Sequence, residues 1–127
     1  MGRVASEVPT TLMSDTLVEL MEPYIRWPPR PDELDDLKEW LELGAAVWNV
    51  MVEAKDSAGC AQKLVHLSVE LGREVENASI LVEEIARRKS CLFPQDRRRV
   101  AAVRVTSQDG VAIVEAATSM WVPGLRR

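Results

Sequence analysis

Val100-Ala-Ala-Val103-Arg104-Val105-Thr106-Ser107-Gln108-Asp109-Gly110-Val111-Ala112-Ile113-Val114-Glu115-Ala116-Ala117 decides the fold class. Two runs rich in β-branched residues flank Asp-Gly, the pair that most readily takes the two positive-φ positions of a tight hairpin turn. A two-residue turn at Asp109-Gly110 sets Arg104 opposite Glu115, Val105 opposite Val114 and Thr106 opposite Ile113. One face then carries Val103, Val105, Ala112, Val114 and Ala116, all apolar, and the other gains a favourable Arg104–Glu115 cross-strand pair. A four-residue loop over Ser107–Gly110 would set Arg104 against Ile113, so register and charge agree on the shorter turn. The ribbon, about residues 98–118, is marginal alone and must pack on what precedes it or pair with another chain.

What precedes it reads as helix. Cys60, Leu64, Leu67, Leu71, Val75, Ala78, Val82 and Ile85 recur in steps of three or four without a phase break. One long helix over about 61–91 is the favoured reading, with two helices broken at Gly72 as the alternative. Along a continuous helix Cys60 and Cys91 would lie roughly 45 Å apart, which rules out a disulfide between them. Pro94 ends the pattern.

Before Gly59 runs the clearest helical segment, about 32–56, with Asp32 and Asp35 placed as a near capping box. Leu34, Leu37, Leu41, Ala45, Trp48 and Val52 form one stripe; Trp40, Leu43, Val47, Val50 and Ala54 form another. So wide an apolar face marks a central helix. A shorter helix is predicted over Asp15–Tyr24 with Ser14 or Asp15 as its cap, and residues 1–10 read as a loose tail. Trp27-Pro28-Pro29-Arg30-Pro31 forces an extended connector that lays Trp27 on the core. Its PxxP lacks the flanking base of an SH3 ligand. The chain thus reads as one α+β domain over 1–127, with three or four helices and a C-terminal antiparallel hairpin. Its core is predicted from Leu37, Trp40, Leu41, Val47, Trp48, Leu64, Leu67, Leu71, Val82 and Ile85, with Val103, Val105 and Val114 beneath the ribbon.

Charge is unevenly placed. Residues 1–56 carry a net −7 and residues 57–127 a net +3. Arg87, Arg88, Lys89, Arg97, Arg98 and Arg99 gather six of the 16 basic residues at the helix-to-ribbon junction. Asp35, Asp36 and Glu39 begin the acidic helix. Together these nine residues are the candidate interaction surface, joining copies of the chain or a protein partner. Arg87–Lys89 also suit a helix C-terminus, where cations complement the dipole. The rival reading has the junction, 87–99, contacting nucleic acid or another anionic polymer. With a pI near 5.1 the chain is not a globally basic nucleic-acid binder.

Catalysis is a distant third reading. No glycine-rich phosphate loop, nucleophile elbow or dinucleotide fingerprint is present. His66, the single histidine, has Glu70 one turn on as its simple partner. Neither cysteine has metal-ligand spacing, and no Glu-x-x-His repeat supports a di-iron site, so no metal, cofactor or catalytic residue is assigned. The acidic residues of the second helix suit the first turns of a helix. No run approaches 18 apolar residues, and the expectation is a cytoplasmic protein with reduced thiols and no membrane contact.

Trp48-Asn49, followed by Arg88-Lys89, Phe93-Pro94 and Asp96-x-Arg98 ahead of a hairpin, resembles small bacterial proteins of uncharacterised activity. The resemblance spans about half the chain and implies no function. Asn49 beside the Trp48 indole would need hydrogen-bond partners if buried, and would then fix the helix's register.

Overall fold

The computed structural model describes residues 12–54, 56–72 and 77–120. The elements run α1 (Met13–Leu20), α2 (Leu34–Glu53), α3 (Ser57–Leu71), α4 (Ala78–Leu92), β1 (Arg98–Gln108) and β2 (Val111–Met120). Single turns of 3-10 helix cover Glu22–Tyr24 and Pro31–Glu33. The architecture is α+β, four helices followed by a two-stranded antiparallel ribbon.

The ribbon has the expected register. Arg104 lies opposite Glu115, Val105 opposite Val114 and Thr106 opposite Ile113. Asp109 and Gly110 have φ of 53° and 78°, so both central positions of the turn are left-handed. The Arg104 Nε donates to Glu115 Oε1 at 3.1 Å. Closer to the helices the pairing slips once. Val100 faces Thr118 and Ala102 faces Ala117, leaving Ala101 as the extra residue of a bulge. The bulge resets the alternation, so Val100 and Val103 are both buried although three residues apart.

α2 is central, in contact with α1, α3, α4 and β1. Leu37, Leu41, Gly44, Ala45, Val47, Trp48 and Val52 are its buried residues. At Gly44 a side-chain β-carbon would come within 2.7 Å of the Met21 side chain, so glycine here lets the end of α1 press against α2. The chain enters α2 through Pro31–Glu33, where the Arg30 N–H donates to Glu33 Oε1 at 2.8 Å. That replaces the predicted Asp32 cap: the first turn is wound as 3-10, and Glu33 is the residue that reaches back.

Three expectations are corrected. The segment 61–91 is two helices, α3 and α4, which pack against each other. Asn77 explains the break on the α4 side: its φ of 60° is left-handed, and no α-helix continues through that conformation. The 45 Å separation of the cysteines, which assumed one helix, falls with it. Gly59 is not a separator; it lies in the first turn of α3, and its N–H donates to Asp56 Oδ1 at 2.6 Å. Trp27 is 47% exposed and lies at the rim of a hollow between α1 and β2, away from the core.

α1 and α3 exchange their expected importance. Met13, Thr16, Leu17 and Leu20 of α1 are buried, whereas α3 has no buried residue. Leu64, Leu67 and Leu71 are only half-buried. α1 is capped by the backbone of Leu12, without the predicted Ser14 or Asp15 side-chain cap. Residues 1–10 and Trp121 lie outside the described residues.

Candidate interaction surface

The basic junction is built from the end of α4, a short turn and the start of β1. Its six cations divide sharply. Arg88 points away from its own helix end: Nε donates to Leu20 O and Nη2 to Glu19 O, both at 2.7 Å. These carbonyls end α1: Leu20 O takes its donor, and Glu19 O a second one beside the Met21 N–H, from a residue 68 and 69 positions away.

Lys89 continues the buried stripe of Val82 and Ile85 by one turn and is itself 6% exposed. Its Nζ donates to Phe93 O at 2.9 Å and to Asp96 O at 2.8 Å, and stands 4.6 Å from the centre of the Trp48 ring. Burial pushes its pKa down from the usual lysine value, opposed by the nearby Asp96 charge. Two carbonyls and an aromatic face replace the water an ammonium loses.

Arg98 forks onto Asp96. Nη2 meets Oδ2 at 2.6 Å and Nε meets Oδ1 at 3.0 Å, while the Arg98 backbone N–H also donates to Oδ1. The same Nη2 reaches Thr16 Oγ1 of α1 at 3.2 Å. Arg99 forms an ion pair with Glu53 at the last residue of α2. The acidic helix therefore does take up a junction arginine, through Glu53. Asp35, Asp36 and Glu39 sit exposed near the other end of α2. Arg87 and Arg97 are exposed, with no hydrogen bond or ion pair to another described residue.

β1 is fastened to α2 by two adjacent side chains. The Trp48 indole N–H donates to Arg98 O at 2.5 Å. The Asn49 amide takes both groups of Val100: Nδ2 donates to its C=O, and its N–H donates to Oδ1, each at 2.8 Å. Asn49 thus acts as one residue of a third strand, and it indexes α2 against the ribbon at the bulge. Its need for partners was readable; their identity, 51 residues away, was not. Two local signals did point inward. Lys89 lies in phase with Val82 and Ile85, and Asp96-x-Arg98 puts opposite charges on one side of an extended chain.

The apolar surface lies elsewhere. Val65 and Val69 on α3 are each 62% exposed, and Ile80 on α4 is 58% exposed. A mainly apolar groove runs between the two helices, with Leu64, Val65, Val69 and Val82 among its walls. Periodicity on α3 gave no hint of it, because the stripe was assigned wholly to the core. His66 Nε2 lies 3.6 Å from Glu70 Oε2, and both side chains are open to water. Both cysteines are free thiols, Cys91 exposed and Cys60 half-buried, with the Cys60 pKa raised by burial and lowered by Lys63. Among the described residues no helix is long and apolar enough to cross a membrane.

No protein-family model matches the chain, and no curated protein or solved structure is detectably similar to it.

Proposed function

We propose that this chain is a cytoplasmic, non-enzymatic interaction module that associates with copies of itself. One observation carries the reading: α3 is a fifteen-residue helix with no buried residue, yet it holds Val65 and Val69 in water beside Ile80 of α4. An apolar helix face left open in this way asks for cover by another chain. Four of the six junction cations are engaged by groups of the same chain, which leaves Arg87 and Arg97 for phosphate. That favours self-association over a nucleic-acid or anionic-polymer partner, which would use several unengaged cations.

Sedimentation of the wild type and of a Val65→Glu/Val69→Glu variant tests the reading. The wild type is expected to associate with rising concentration, and the double variant to associate less while keeping its melting temperature within a few degrees. A wild type that stays monomeric throughout would overturn it. Steep, salt-dependent binding of RNA or DNA, lost on replacing Arg87 and Arg97 with Ser, would favour the rival.

A further inference from the structure

The two edges of the ribbon are unlike. In a two-residue hairpin the residues flanking the turn, Gln108 and Val111, exchange hydrogen bonds, and alternate pairs do so thereafter. Ser107–Ala112, Val105–Val114 and Val103–Ala116 are the intervening pairs. Their N–H and C=O groups therefore point away from the partner strand. On β1 this outward row is broken by the bulge and closed at its base by Asn49 on Val100 and Trp48 on Arg98. Only Val103, Val105 and Ser107 remain. On β2 the row is continuous through Ala112, Val114, Ala116 and Thr118, and none of these bonds another described residue outside the ribbon. β2 also has no proline and no lysine, two devices by which exposed edges are blunted.

We propose that this edge of β2 pairs antiparallel with β2 of a second copy, joining two ribbons into one four-stranded sheet. A row of alternating donors and acceptors that no described residue outside the ribbon meets fits an extended strand and little else. A two-fold pair further requires that the strand tolerate itself. β2 has a single charge, Glu115, and that carboxylate is held by Arg104 within its own ribbon. A register centred on Glu115 is disfavoured, because two carboxylates would meet. Centring on Ala116 places Val114 opposite Thr118 and Glu115 opposite Ala117, with no like charges directly opposed. The inference rests on the self-association proposed above and adds a second contact to it, separate from the open face of α3.

The experiment is a proline scan of the outward row, read by sedimentation. Ala116→Pro removes an N–H that the β1–β2 ladder does not use, so the hairpin can persist. Circular dichroism and thermal unfolding report whether it does. Across the proposed two-fold the substitution deletes two hydrogen bonds, and the dimer should weaken by at least about tenfold. Ala112→Pro, nearer the tip, is the second variant if Ala116→Pro unfolds, and it should weaken the dimer in the same direction. A dimer that survives both prolines with the hairpin intact, yet splits on Val65→Glu/Val69→Glu, overturns the edge pairing and leaves the broader reading standing. A wild type that never associates overturns both.

Discussion

α2 and α3 are neighbours in the chain, both apolar and both regular, yet they end in opposite circumstances. α2 buries seven residues and touches four other elements; α3 buries none. The difference is not composition along the stripe. α2 carries two stripes on adjacent sides, so any docking arrangement covers one of them. α3 lies against the rest through Leu64, Leu67 and Leu71 alone and turns its valines outward. Periodicity identifies a face that can be buried. It does not supply the neighbour that buries it.

The sharpest way to break this contrast is a pair of leucine truncations. Leu41→Ala, at a fully buried site on α2, should cost about 2–5 kcal/mol in denaturant unfolding. Leu71→Ala, half-buried at the end of α3, should cost clearly less, because its cavity opens to water. Equal losses would mean that α3 belongs to the core after all.

A second substitution tests how α2 holds the ribbon. Asn49→Ala removes both bonds to Val100 and leaves that residue's N–H and C=O without their partner, at a cost of about 1–3 kcal/mol. If the amide indexes β1, the variant should also show faster amide exchange at Val100 than the wild type does, with the ladder-bonded amides of Arg104 and Thr106 unchanged. A neutral outcome in both measurements would make the clip incidental.

The smallest expected effect concerns pH. Tyr24 stacks on Trp40 with ring centres 5.9 Å apart, and its hydroxyl donates to Glu84 Oε1 at 2.8 Å. Burial first, then that hydrogen bond and the Glu84 charge, push its pKa up to about 12 from 10.0. Folding therefore favours the protonated phenol. The stability it contributes is complete below pH 10 and is lost as pH rises from there toward 12. As the only tyrosine in the chain, it can be followed by tyrosinate absorbance. Glu84→Gln should lower the midpoint only partway, since burial remains. A midpoint at the ordinary tyrosine value in the wild type would remove the claim.

Legibility in the sequence followed the range of the interaction. The hairpin was readable to the residue pair, because turn chemistry and a period of two are local and only one register put five apolar residues on one face. Helix α2 was readable for the same reason. The break between α3 and α4 was readable only as the alternative at Gly72, since the stripe keeps phase there and a left-handed Asn77 leaves no mark in hydrophobic spacing. The six basic residues were visible as a cluster, but an arginine's sequence position does not say whether its donors meet water or a carbonyl. Arg88 and Arg99 were placed by partners that no local pattern names, whereas Lys89 and Arg98 carried the two local signals described above. Tertiary packing likewise buried α1, whose short stripe carried little weight beside two longer helices.

Arg88 has a consequence for the order in which the chain becomes a protein. During synthesis α1 emerges before the other helices, but the Leu20 carbonyl receives its Arg88 donor, and the Glu19 carbonyl its second donor, only 68 and 69 residues later. Thr16 waits longer still for Arg98, 82 residues on. An eight-residue helix is too short to persist in water unaided. An element made early thus depends for its final hydrogen bonds on residues made much later in the chain.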